Sequence, residues 1–224
     1  MERQEPIESE YLADAGVAAE PRSRALAKRF GWRLLGSTLG RSLALSVCRA
    51  MSRRLEITRG TPVIESQNAV VRLWRVEQFA EISWSPEKPW LLQDGTILKP
   101  HHPVLELHIA GDRFLELLSI MRWRQAIRCE FQSMVADLET RDEVALVGST
   151  ILRRQVKEFG ATLRELPPGL HTSLDTFYRK LILLAFHPGG ANRVLQEREA
   201  VAEAAISRED FCRRYGGTIS NAGP

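Results

Sequence analysis

The run WLLQDGTILKPHHPVLELHI, from Trp90 to Ile109, constrains the fold more than any other part of the chain, because it spells out a tight turn followed by an alternating strand. Asp94-Gly95, set between Trp90-Leu91-Leu92 and Thr96-Ile97-Leu98, is a hairpin signal, since a tight turn needs residues that tolerate positive φ. Val104 to Ile109 predicts a strand whose side chains alternate between two faces. Glu106 and His108 then share one face, opposite Leu105, Leu107 and Ile109. A carboxylate and an imidazole on an otherwise apolar strand must find partners, water or a ligand. The pair is therefore the first candidate for chemistry.

The rest of the chain supplies helices and a second strand unit. Trp32, Leu35, Leu39, Leu43, Val47 and Met51 recur at helical spacing, with Arg33, Arg41 and Arg49 on another side, which predicts a basic amphipathic helix over 26–59 that docks on the core with its arginines in water. Val70 to Trp84 alternates like a strand or strand pair, closed by Pro86 and Pro89. Asp112 caps a long helix to about Glu139. Glu143–Val147, Ser149–Phe159 and Ala161–Leu166 read as a strand, a helix and a parallel strand, a βαβ unit. Helices follow from Leu174 to Ala185 and from Ala191 to about Ala204, and a last one is capped by Ser207 with Asp210 three residues on. The fold class is α+β: a small mixed sheet with a hairpin and a βαβ unit, covered by helices and preceded by the basic helix. The expected domain spans 60–217, with tails lacking hydrophobic periodicity at 1–25 and 218–224.

Charge and cysteines limit the function classes. The net charge of +3 conceals an acidic segment, with six Asp and Glu against three Arg in 1–25, and a basic one, with eight Lys and Arg against Glu56 alone in 26–59. Three scattered cysteines without CxxC spacing support neither a disulfide framework nor a zinc ribbon. The acidic start fits no secretory signal. Arginines cut the apolar stretch at Leu34 to Val47 far short of the roughly 20 residues a bilayer span requires. The expected location is the cytoplasm, peripheral to the inner membrane at most, through attachment of Arg33, Arg41 and Arg49 to anionic lipid.

Two readings of Glu106 and His108 stand side by side. In one they form an acid–base pair, the carboxylate orienting the ring for a hydrolase or transferase; in the other they satisfy buried backbone groups or sit on a solvated face. Zinc ligation with His101 and His102 is a further use of such side chains, although the following Pro103 makes those histidines a turn, and no metal site is assigned. Ser149 and Thr150, after a strand and at the start of the predicted helix, suit an anion held by backbone N–H groups and the helix dipole, with a plain Ser149 cap as the simpler account. Arg122, Trp123, Arg124 and Arg128 lie on a helix where such charges are ordinarily solvated. Nucleic acid is not an expected partner. Walker, GxGxxG and GxSxG motifs are absent from the sequence. The sequence does not identify a cofactor.

Together, QDGTILKPHHPVLELHI, EVALVGSTILRRQVKEFGATLRELPPG and ISREDFCRRYG resemble the YkoP-like family over about residues 68–216. The resemblance rests on the DG turn, the Glu106-Leu107-His108 triplet and the βαβ block. Here His101-His102 stands where the family usually has Gly-Asp, and Gly111 where it has Asn. The family occurs alone and behind polysaccharide deacetylase domains, whose metal motifs this chain lacks. The resemblance implies a context, bacterial cell-envelope glycan or lipid metabolism, without a known reaction; within it the leading expectation is a non-enzymatic accessory or ligand-binding protein of envelope polysaccharide metabolism, with a glycan or lipid-linked ligand.

Overall fold

A computed structural model describes residues 37–110, 123–186, 190–196 and 200–217. The first helix, α1, runs from Thr38 to Arg59. The strands are β1 (Ile64–Glu65), β2 (Val71–Val76), β3 (Trp90–Leu91), β4 (Ile97–Leu98), β5 (Val104–Ile109), β6 (Ala145–Thr150), β7 (Thr162–Glu165) and β8 (Ala202–Ser207). Helices α2 (Trp123–Ser133), α3 (Val135–Glu139), α4 (Arg153–Glu158), α5 (Leu170–Phe186), α6 (Gly190–Gln196) and α7 (Arg208–Tyr215), together with a short 3-10 turn at Phe79–Glu81, complete the described elements. Six strands form one mixed sheet in the order β1-β2-β5-β6-β8-β7, in which β5 and β6 are the parallel neighbours and every other pair is antiparallel. The fold is α+β.

The DG hairpin forms as its residues dictate: Gly95 takes φ +89° and Gly95 N donates to Leu92 O, closing β3 onto β4. It makes a two-stranded sheet of its own rather than joining the main one. The unit after it also differs from expectation. β6 and β7 do run the same way, but β8 lies between them and pairs antiparallel with both. Residues 202–204, read from the sequence as the end of a helix, thus belong with 205–207 to an inner strand of the sheet, and all six are buried. Alanine and glutamate favour helix intrinsically, and burial between two strands overrides that preference.

Each face of the sheet has its own cover. Leu73, Leu105, Leu146, Ala204 and Ile206 point to one side and meet Phe131, Met134 and Leu138 of the α2–α3 region and Phe211 and Tyr215 of α7. The other side carries Val76, Val104, Ala145, Val147 and Ala205 under Phe79, Trp90, Leu92 and Leu98. A third cluster joins Ala44 and Cys48 of α1 to Leu181 and Leu184 of α5. Here the structure corrects the expected docking of the first helix. Leu39, Leu43 and Val47 are 85%, 61% and 38% exposed, whereas Ala44 and Cys48 are buried. The helix seats its small side chains, which let two helices approach closely, and leaves its leucine stripe outward. No described helix is long and apolar enough to cross a membrane.

Residues 1–36, 111–122, 187–189, 197–199 and 218–224 lie outside the described residues, and with them the expected tails, Arg33, Arg122 and the Asp112 cap. The predicted end of the long helix is present as two helices, α2 and α3, meeting at Met134.

Candidate functional site

Alternation along β5 places Glu106 and His108 on one face, and the side chains meet: His108 Nε2 lies 3.1 Å from Glu106 Oε1. Trp74 of β2, directly across from Glu106 in the antiparallel register, meets the imidazole in a T-shaped contact with ring centroids 5.3 Å apart. Trp74 is itself fixed by donating Nε1–H to Gly60 O at 2.9 Å. On the other flank β6 runs parallel to β5 with Glu106 opposite Val147, so the next residue of that face on β6 is Ser149, at the level of His108. Gly148 permits this approach, because a Cβ there would stand 3.0 Å from Leu107 O.

Two helices bring cations to this face. Arg59, in the last turn of α1, places Nη2 3.0 Å from Glu106 Oε2. Arg179, midway along α5, donates to Ser149 Oγ and lies 3.4 Å from Asp175 Oδ1 one turn back. Burial pushes the Glu106 carboxyl up, but the His108 hydrogen bond and the charges of His108, Arg59 and Arg179 outweigh it and hold the group below its ordinary 4.5. A carboxyl depressed in the folded state contributes stability that is present above the unfolded value and lost as pH falls through the folded one. Urea unfolding of wild type and Glu106→Gln should therefore differ most above pH 4.5 and converge below it. A difference independent of pH would show that the ion cluster does not hold the carboxylate.

The cluster is incompletely matched. Among the described residues four buried side-chain atoms lack a hydrogen-bond partner: Glu106 Oε2, Asp175 Oδ2, Arg179 Nε and Arg208 Nε. Three of them belong to this one site. The contacts of Glu106 Oε2 with Arg59 and of Arg179 Nε with Asp175 have the separation of ion pairs without the alignment of hydrogen bonds. Buried polar atoms are nearly always satisfied, so a concentration of exceptions marks a place built for a further polar group.

The other sequence candidates fall elsewhere. Ser149 and Thr150 end β6 rather than opening a helix; α4 begins only at Arg153, and Thr150 Oγ1 accepts from Leu152 N at 2.9 Å. The expected anion seat on a helix dipole at these two residues is therefore not formed. Both hydroxyls are used, that of Ser149 by Arg179. His101 and His102 stack edge to face at 4.9 Å, and His102 Nδ1 accepts from Lys99 N, closing a turn. Among the described residues no group of three or more His, Cys, Asp and Glu is placed to hold a metal ion. Arg124 pairs with Glu158 at 2.7 Å. Sequence reading missed Arg59, Asp175 and Arg179. Asp175 and Arg179 are an i,i+4 pair of the sort that usually braces an exposed helix face, and nothing local says that this face turns inward.

A model of the YkoP domain matches residues 87–215. That span takes in Glu106, His108, Ser149, Asp175 and Arg179 but begins after Arg59 and Trp74. No curated protein and no solved structure matches the chain.

Proposed function

Because the chain belongs to the YkoP domain family, we propose that it is a non-enzymatic ligand-binding accessory protein of bacterial envelope polysaccharide metabolism, holding an anionic group of a glycan or lipid-linked ligand beside His108 and Arg179. The observation that carries this reading is the gathering of unmatched buried atoms on Glu106, Asp175 and Arg179. Two guanidinium groups and an imidazole face two carboxylates there. Arg179 and Arg59 supply planar donors suited to a carboxylate or phosphate, while Glu106 and Asp175 repel any anion that does not also bring hydroxyl donors. A sugar acid or sugar phosphate offers both.

The test is titration of the full chain with D-glucuronate and with inorganic phosphate, read from the His108 ring resonances and by calorimetry. Saturable binding is expected, weakened about tenfold or more by Arg179→Ala, in keeping with roughly 1.5–3 kcal/mol for a hydrogen bond to a charged group. Arg59→Ala, at a third-exposed position, is expected to weaken binding less and leave the fold intact. Silence of the ring resonances with both probes would refute the proposal. The hydrolase or transferase reading is favoured by the 3.1 Å Glu106–His108 contact alone, the carboxylate orienting the ring as a general base. Turnover of a phosphorylated or acylated sugar, abolished by His108→Gln with binding retained, would put that reading in its place.

A further inference from the structure

We propose that the outward face of α1 docks on the surface of a bilayer containing anionic lipid, independently of the ligand site. The helix turns Leu39, Leu43 and Val47 outward at intervals of one turn, with Ile57 exposed further along. Its opposite side, Ala44 and Cys48, is already occupied by α5. An apolar line left in water on a helix whose other side is satisfied has no role in holding the fold. Exposed Arg49, Arg53 and Arg54 accompany it. Over Thr38–Arg59 the sequence contains five arginines and one acid, Glu56.

Charge decides which occupant fits. In a symmetric pair of chains the same patch meets itself, and this patch would set arginines against arginines with no acidic side chain in the stripe to receive them. Segment 1–25 is acidic, but its larger apolar side chains, Met1, Ile7, Tyr11, Leu12 and Val17, lack the periodicity that would match the leucine stripe. A bilayer surface satisfies both requirements at once. Apolar side chains enter the acyl boundary while guanidinium groups stay among the phosphates, the arrangement of interfacial amphipathic helices. On α5, Leu170, Leu174 and Phe177 are exposed too, so the helix against which α1 packs also presents apolar side chains to the surroundings.

Flotation of the full chain with phosphatidylglycerol vesicles and with phosphatidylcholine vesicles tests this. Binding to the first and not the second is expected, falling as salt rises. The triple variant R49Q/R53Q/R54Q should weaken partitioning on the order of 100-fold, three charges at about fivefold each. L39S/L43S/V47S should abolish it, and its thermal unfolding should stay close to wild type, because Leu39 and Leu43 already face water and only Val47 is partly covered. Failure of the full chain to float with phosphatidylglycerol overturns the proposal, whether the stripe is then covered by a second copy, seen as a doubled mass that L39S/L43S/V47S removes, or by residues 1–25. Binding that both triple variants retain overturns it equally. Arg179→Ala should float like wild type, which separates this surface from the ligand site.

Discussion

Glu203→Ala is expected to lower the unfolding free energy by about 3–5 kcal/mol, the usual cost of stripping one partner from a buried ion pair. Glu203 lies on β8, directly across from Ser149 and from Arg164 of β7, on the same sheet face as Glu106. It is 2% exposed. Its Oε2 accepts from Arg164 Nε and Nη2 at 2.8 and 2.6 Å, and its Oε1 accepts from Trp84 N at 2.7 Å. Without the carboxylate, the guanidinium keeps Ser83 Oγ and the face of Trp90, 4.5 Å away, but no counter-charge in this network. Urea denaturation would give the number. The double variant Arg164→Met, Glu203→Leu should recover most of the loss, because it removes both charges together, and fall short by the cation–π contact with Trp90. A single variant within about 1 kcal/mol of wild type would mean that water reaches Arg164 and screens it.

Phe211→Ala should cost a similar amount, about 3–5 kcal/mol, for a different reason: it leaves a cavity that rigid neighbours cannot close. Phe211 is fully buried and packs between Phe131 of α2 and Tyr215 of its own helix, with ring centroids 5.1 and 4.7 Å away. Those neighbours are held in turn. Phe131 also meets Phe159 and Tyr215, and Tyr215 donates its hydroxyl to Phe159 O at 3.0 Å. Four rings around one junction cannot collapse without breaking that hydrogen bond. The same denaturation series measures it, and a loss below about 1.5 kcal/mol would show that the helices slide together to fill the space.

How much was legible in the sequence depends on whether the deciding force was local. The DG turn and the Glu106/His108 alternation were legible because φ at Gly95 and the period of a strand are properties of the segment itself. So was the cap at Ser207, whose Oγ accepts from Asp210 N. β8 was not, since AEAAIS carries helical residues and becomes a strand only by lying between β6 and β7. The facing of α1 was misread for a related reason: periodicity identifies the apolar stripe, yet tight packing against α5 selected the alanine and cysteine side instead. The candidate site was half legible. Its strand residues come from one short run, whereas Arg59 and Arg179 arrive from helices more than forty residues away on either side, where each looks like an ordinary surface arginine.

The position of β8 bears on how the protein is made. A ribosome releases β6 and β7 before the strand that must lie between them, so through that interval each presents an open hydrogen-bonding edge along its flank. Such edges recruit other chains when nascent proteins crowd together. Completion waits on segment 202–207, and a delay in its emergence would prolong the exposure of those edges.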